Sequence, residues 1–105
     1  MGSDKRFAAR RPVCIDIIVN HQLDSAGLWK TRDLSLNGAF VEMPADGLPP
    51  QSEVEAVLAL SDRGRLDQHH VVARVVRTTA DGVALAFGDY SSRTYTVLSL
   101  LLHTE

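Results

Sequence analysis

Asp33-Leu34-Ser35-Leu36-Asn37-Gly38 is a run of hydrogen-bonding and turn-forming residues set between two apolar stretches, and it reads as a polar corner between strands. Strand alternation sends Asp33 and Ser35 to one face and Leu34 and Leu36 to the other. Asn37-Gly38 is the dipeptide that most readily takes up the positive φ of a tight hairpin turn. The Asp33 carboxylate only accepts hydrogen bonds, whereas the Ser35 hydroxyl both donates and accepts. Such a pair beside a turn has two readings, a local cap that bonds its own backbone or a recognition corner for a ligand.

Upstream, Lys5-Arg6-Phe7-Ala8-Ala9-Arg10-Arg11 gathers four cations just before Pro12, with no apolar periodicity. The fixed φ and missing donor of Pro12 favour an extended lead into a strand. Residues 4–11 therefore read as a flexible basic arm. Taken alone, the arm is either a solvated tail or one half of a site whose other half is the corner.

Working outward, apolar alternation marks short strands. Val13, Ile15, Ile17 and Val19 share one face of a first strand, with Cys14, Asp16 and Ile18 on the other. Turn formers in residues 20–27 predict a hairpin, residues 28–34 the strand returning to the corner, and residues 39–43 the next strand. Gly47 and Pro49-Pro50 make residues 44–51 a loop. In residues 53–60 Val54, Ala56, Leu58 and Leu60 face inward, and residues 61–67 read as a charged connection. Residues 69–77 and 82–87 form a second hairpin. Ser91 or Ser92 caps a final helix in which Tyr95, Leu98, Leu101 and Leu102 make the buried stripe, which can also serve a partner contact. Trp29 is expected as a structural anchor. The pattern predicts an antiparallel barrel or sandwich rather than an α/β sheet.

The chain's 105 residues suffice for one core, so a single domain over residues 4–105 is expected. No apolar run approaches the roughly 20 residues of a membrane span, and the opening residues are charged rather than apolar. The expectation is a soluble, cytoplasmic protein without membrane insertion. A net charge of −2, from 11 Lys+Arg against 13 Asp+Glu, argues against a surface devoted to a nucleic-acid polymer. The single cysteine, Cys14, cannot close an internal disulfide and is expected as a buried small hydrophobe. His69 and His70 are adjacent and so face opposite ways on a strand, which disfavours a shared metal. With no base near Ser35, no G-x-S-x-G elbow and no phosphate loop, no catalytic residue is assigned and no enzyme is expected.

The R-x-x-x-R spacing of Arg6 and Arg10, followed by Asp33-x-Ser35-x-x-Gly38, resembles the PilZ domain family, the bacterial receptor module for the second messenger cyclic di-GMP. The resemblance continues through Pro12-Val13, Gly38-Ala39-Phe40-Val41, Ala73-Arg74-Val75-Val76-Arg77 and Asp81-Gly82-Val83-Ala84-Leu85-Ala86-Phe87. It implies a mainly β fold, a small antiparallel six-stranded PilZ-type β-barrel over residues 12–88 with a C-terminal α-helix over residues 90–104. It further implies that Arg6 and Arg10 clamp phosphate and guanine, and that Asp33, Ser35 and Gly38 form the guanine-recognition corner.

The chemistry suits those roles. A guanidinium grips phosphate oxygens or the guanine O6/N7 edge in a bidentate fork, and Gly38 leaves room for close backbone approach. Lys5 occupies a position that in the family bears on whether one ligand or a stacked pair binds, and Arg11 and Asn37 are secondary candidates. The implied ligand is cyclic di-GMP, with no cofactor. An unidentified downstream protein partner would sense the ordering of residues 5–11 over the barrel. The alternative within the resemblance is a PilZ-like adaptor that binds protein and no nucleotide. A barrel for single-stranded nucleic acid would need a basic groove with several exposed aromatics, and the three Phe, two Tyr and one Trp here fall mostly on core faces.

Overall fold

Among the described residues, alternation of β-branched and small apolar residues with polar ones produces six strands that close on themselves, and one helix packs on the barrel. The computed structural model describes residues 12–21, 24–44 and 48–103. The strands are β1 (Asp16–His21), β2 (Asp24–Leu34), β3 (Gly38–Glu42), β4 (Glu53–Asp62), β5 (Arg65–Thr78) and β6 (Val83–Phe87), followed by helix α1 (Ser92–His103). They form a closed, wholly antiparallel barrel in the order β1-β2-β3-β6-β5-β4. Closure gives every strand two neighbours in the barrel, although the early residues of β2 and β5 pair on one side only.

The inward rows are Ile17 and Val19, Ala39 and Val41, Val54, Ala56, Leu58 and Leu60, Val71, Ala73 and Val75, and Val83 and Leu85, all buried. Each large side chain so buried contributes about 1.5–3 kcal/mol. Ser91 caps α1, its Oγ accepting from Thr94 N–H at 3.1 Å, and the helix buries Thr94, Val97, Leu98 and Leu102 as it packs against β4.

The barrel has an internal pseudo-two-fold axis that exchanges β1, β2 and β3 with β4, β5 and β6. It passes between the paired residues Val19 and Ala56 on one side and Phe40 and Ala84 on the other. Thr31 N–H donates to Ile15 O at 3.0 Å, and Val75 N–H donates to Ser52 O at 2.9 Å in the counterpart position. Both halves slip register at matching places, between Thr31 and Asp33 and between Val75 and Arg77. The turn that follows each slip is built alike: Ser35-Leu36-Asn37-Gly38 in one half, Thr79-Ala80-Asp81-Gly82 in the other.

Several local expectations are corrected. Asn37 and Gly38 do not take positive φ; among the described residues that conformation occurs at Gly27, Gln51, Arg63 and Gly64. The supposed charged connection over residues 61–67 is mostly strand, because Arg63 and Gly64 (φ 57° and 79°) close a two-residue turn that matches the twist of β4 and β5. The first hairpin is also tighter than predicted. His21 pairs with Asp24, and Gly27 at φ 104° sits in a bulge opposite Val19. Cys14 is exposed rather than buried, since Val13 and Ile15 on either side turn toward the core. Tyr95 lies outside the helix's buried stripe, where Thr94 and Val97 take the places nearest the barrel.

The two adjacent histidines do face opposite ways: His70 is exposed and His69 is only 3% exposed. His69 Nδ1 lies 2.8 Å from Thr94 Oγ1, and Ser91 Oγ donates to that same oxygen at 3.0 Å. The other ring nitrogen, Nε2, is buried and has no hydrogen-bond partner. Burial, reinforced by the Arg93 charge and by His70 and opposed by Asp67 and Asp62, lowers the His69 pKa from its ordinary 6.5. A lowered folded-state pKa means that stability is intact above about pH 6.5 and falls as the pH drops through that value toward the folded pKa. Urea unfolding between pH 8 and 5 should show this loss in the wild type and a flatter profile in His69→Leu; parallel profiles would refute it.

Candidate functional site

Asp33 is half-buried near the end of β2, paired with Phe40 of β3 just after the register slip at Arg32. Arg32 itself turns outward. Its Nε donates to Glu42 Oε2 at 2.9 Å, and its guanidinium lies 4.7 Å from the centre of the Phe40 ring. These contacts cover Phe40 on the outer face of the barrel, although an exposed pair of this kind contributes little stability.

Ser35 faces into the turn and is only 3% exposed. Its Oγ accepts from Asn37 N–H and Gly38 N–H, both at 3.1 Å, and donates to Gly38 O at 3.3 Å. Ser35 N–H also donates to Gly38 O, at 2.9 Å. Gly38 is required by close approach, because a Cβ there would lie 2.2 Å from Leu85 O on β6. The twin corner repeats this: Thr79 Oγ1 accepts from Asp81 and Gly82 N–H at 3.1 and 3.2 Å, and a Cβ on Gly82 would lie 2.2 Å from Val41 O. Ser35 and Gly38 thus shape the corner, and the local-cap reading of Ser35 is correct as far as its hydroxyl goes. The feature without a twin is Asp33, whose counterpart is Arg77.

The comparison gives a direct test. Ser35→Thr should fold with close to wild-type stability, since Thr79 makes the same bonds in its own turn. Ser35→Ala leaves the buried Gly38 N–H and the part-buried Asn37 N–H without their acceptor, and the urea midpoint should report a loss of about 1–2 kcal/mol. Thr79→Ala should lose less, because Thr79 and Asp81 are exposed and water can take the place of the hydroxyl. An unaltered midpoint in both alanine variants would contradict the bonding described.

The lead into β1 runs beside this corner. Thr31 is buried and its hydroxyl joins two segments, donating to Val13 O at 2.8 Å and accepting from Ile15 N–H at 3.0 Å. The chain immediately after the arm is therefore held two residues from Asp33. Arg6 and Arg10, with Lys5 and Arg11, lie outside the described residues.

The far wall comes from residues that sequence reasoning left unassigned. Tyr90 OH donates to Leu36 O at 2.7 Å and Phe87 N–H to Asn37 O at 2.8 Å, so the corner is tied down from the strand-to-helix link. Phe87 and Tyr90 meet edge to face at 6.2 Å. Burial, with the neighbouring Tyr95, raises the Tyr90 phenol above its ordinary pKa and keeps it a donor. The available signal was Tyr90 standing just before the Ser91 cap, a place where a helix needs no aromatic. A cavity of about 610 Å³ opens between the corner and α1, lined by Leu36, Asn37, Phe87, Asp89, Tyr90 and Tyr95 among others. Another, of about 570 Å³ at the far end of β1, is lined by Glu53 and Glu55, whose charges oppose an anionic ligand.

The arrangement defines a small closed β-barrel domain whose polar corner stands next to the chain emerging from a basic segment. The family model for the PilZ domain matches residues 4–103, and the chain belongs to that family. Among solved structures it is similar to the Bacillus subtilis inhibitor of motility (MotI/DgrA), with a TM-score of 0.77 and 16% identity over 97% of this chain and 53% of that one. It is also similar to the PilZ domain of CeSA from a cellulose-synthesizing bacterium, with a TM-score of 0.64 and 22% identity over 89% and 93% of the two chains. The chain thus spans about half the length of the motility inhibitor. No curated protein sequence matches it. Among the described residues no helix is long and apolar enough to cross a membrane, and no cluster of three metal-ligating side chains occurs.

Proposed function

We propose that this chain is a receptor for cyclic di-GMP, the ligand general to the PilZ family. Arg6 and Arg10 grip phosphate and a guanine edge, Asp33 accepts from guanine N–H groups, and Ser35 and Gly38 hold the corner in the shape that lets the ligand approach. Lys5, Arg11 and Asn37 contribute at the rim. The observation that supports the reading is the Thr31 hydroxyl, which holds Val13, two residues further along the sequence than Arg11, beside the end of β2 that carries Asp33. Binding orders residues 5–11 over the barrel, changing the shape and charge of a face that a partner protein reads.

Calorimetric titration of cyclic di-GMP, with GTP and cyclic di-AMP as controls, tests the reading. Saturable heat with cyclic di-GMP alone is expected, and the same titration gives the stoichiometry. Absence of heat at several temperatures, with unchanged amide spectra, would instead favour the protein-binding adaptor.

A further inference from the structure

We propose that the cavity between the corner and α1 is a guanine subsite in which Tyr95 supplies the stacking face and Asp89 the acceptor that selects guanine. The inference rests on the receptor reading above and deepens it. That reading gives one carboxylate, Asp33, to a ligand carrying two guanine bases. The second base needs a flat apolar surface and an acceptor for its N1–H and exocyclic N–H groups.

Tyr95 is 52% exposed and is the one exposed aromatic among the described residues. Core packing does not account for it, because the helix buries Thr94, Val97, Leu98 and Leu102 instead. It lines the same cavity as Asn37 of the signature corner, and the exposed Asp89 is on that lining too. The back wall is rigid: Tyr90 OH is held by Leu36 O and its ring is set against Phe87. A volume of about 610 Å³ leaves ample room for a purine with part of its ribose. Adenine presents no N1–H and no 2-amino group, so it lacks the pair of donors that a carboxylate here takes from guanine.

Titrations of cyclic di-GMP and of the mixed cyclic guanine–adenine dinucleotide into the full chain test the proposal. Tyr95→Ala should weaken cyclic di-GMP about tenfold to a hundredfold, the range of a lost base stack, while Tyr95→Phe stays near wild type. Asp89→Asn should narrow the wild-type preference for cyclic di-GMP over the mixed dinucleotide by about tenfold. Both side chains are exposed, so thermal unfolding should be unaltered and serves as the control. Wild-type affinity and preference in Tyr95→Ala and Asp89→Asn, with Arg10→Ala still defective, would overturn the subsite and leave the receptor reading standing. Failure of the wild type to bind cyclic di-GMP overturns both.

Discussion

Gly38→Ala is expected to destabilise the barrel by roughly 2–4 kcal/mol, one of the larger losses available to a single methyl group in this chain. The added Cβ would sit 2.2 Å from Leu85 O, a backbone atom that cannot rotate away as a side-chain tip would. Relief requires β3 and β6 to separate near the paired residues Gly38 and Ala86. That disturbs the ladder there and the bonds from Asn37 and Gly38 N–H to Ser35 Oγ. Gly82→Ala meets the same obstacle at Val41 O and should lose a comparable amount. The pair separates architecture from recognition. Measured on the folded fraction, Gly38→Ala should impair cyclic di-GMP binding, whereas Gly82→Ala, beside Arg77 rather than Asp33, should leave it near wild type. A urea midpoint unmoved in either variant would mean that the strands yield far more easily than their pairing implies.

Much of this fold is legible in the residues. The inward rows of β4 and β5 follow strict alternation, and the Ser91 cap and Leu98 stripe place the helix within a residue or two. What alternation does not supply is the order in which strands meet. Closure depends on β1 pairing with β4 and β3 with β6, contacts between segments far apart in sequence. The 33–38 corner is legible as a turn and the local-cap reading of Ser35 holds, but Asn37-Gly38 does not take the positive φ that an Asn-Gly tip suggests, because the serine hydroxyl closes the turn instead. The cue lay in the chain itself: Ser35-Leu36-Asn37-Gly38 and Thr79-Ala80-Asp81-Gly82 are the same turn written twice. Two copies, only one preceded by an acid, separate the glycine and hydroxyl, which both turns share, from Asp33, which has no counterpart in the second. Tyr90 escaped sequence reasoning because its partner is a backbone carbonyl, Leu36 O, which carries no residue identity to match.

Arg10→Ala should weaken cyclic di-GMP binding by about tenfold to a hundredfold or more, the measure of one or two charge-assisted hydrogen bonds at roughly 1.5–3 kcal/mol each. Arg10→Lys separates charge from geometry. Lysine keeps the cation but loses the planar fork that engages two phosphate oxygens or the O6/N7 edge together, so it should recover only part of the loss. Full recovery by lysine would reduce the arm to non-specific attraction, and the affinity of every variant would then fall steeply and in parallel with added salt. Asp33→Asn supplies the matching test on the barrel side: it replaces an acceptor-only group by a mixed one and should weaken guanine ligands while leaving the turn bonds of Ser35 in place. Because Thr31 holds Val13 close to Asp33, the two substitutions act on one ligand and their effects should fall short of additive, as expected for groups sharing a partner. Strict additivity in the double variant, or unchanged affinity in Arg10→Ala, would place the arm and the corner in separate sites. The relay has its own check: backbone relaxation of residues 5–11 should slow on saturation with cyclic di-GMP, and identical relaxation in the two states would leave binding intact but remove arm ordering as the signal a partner reads.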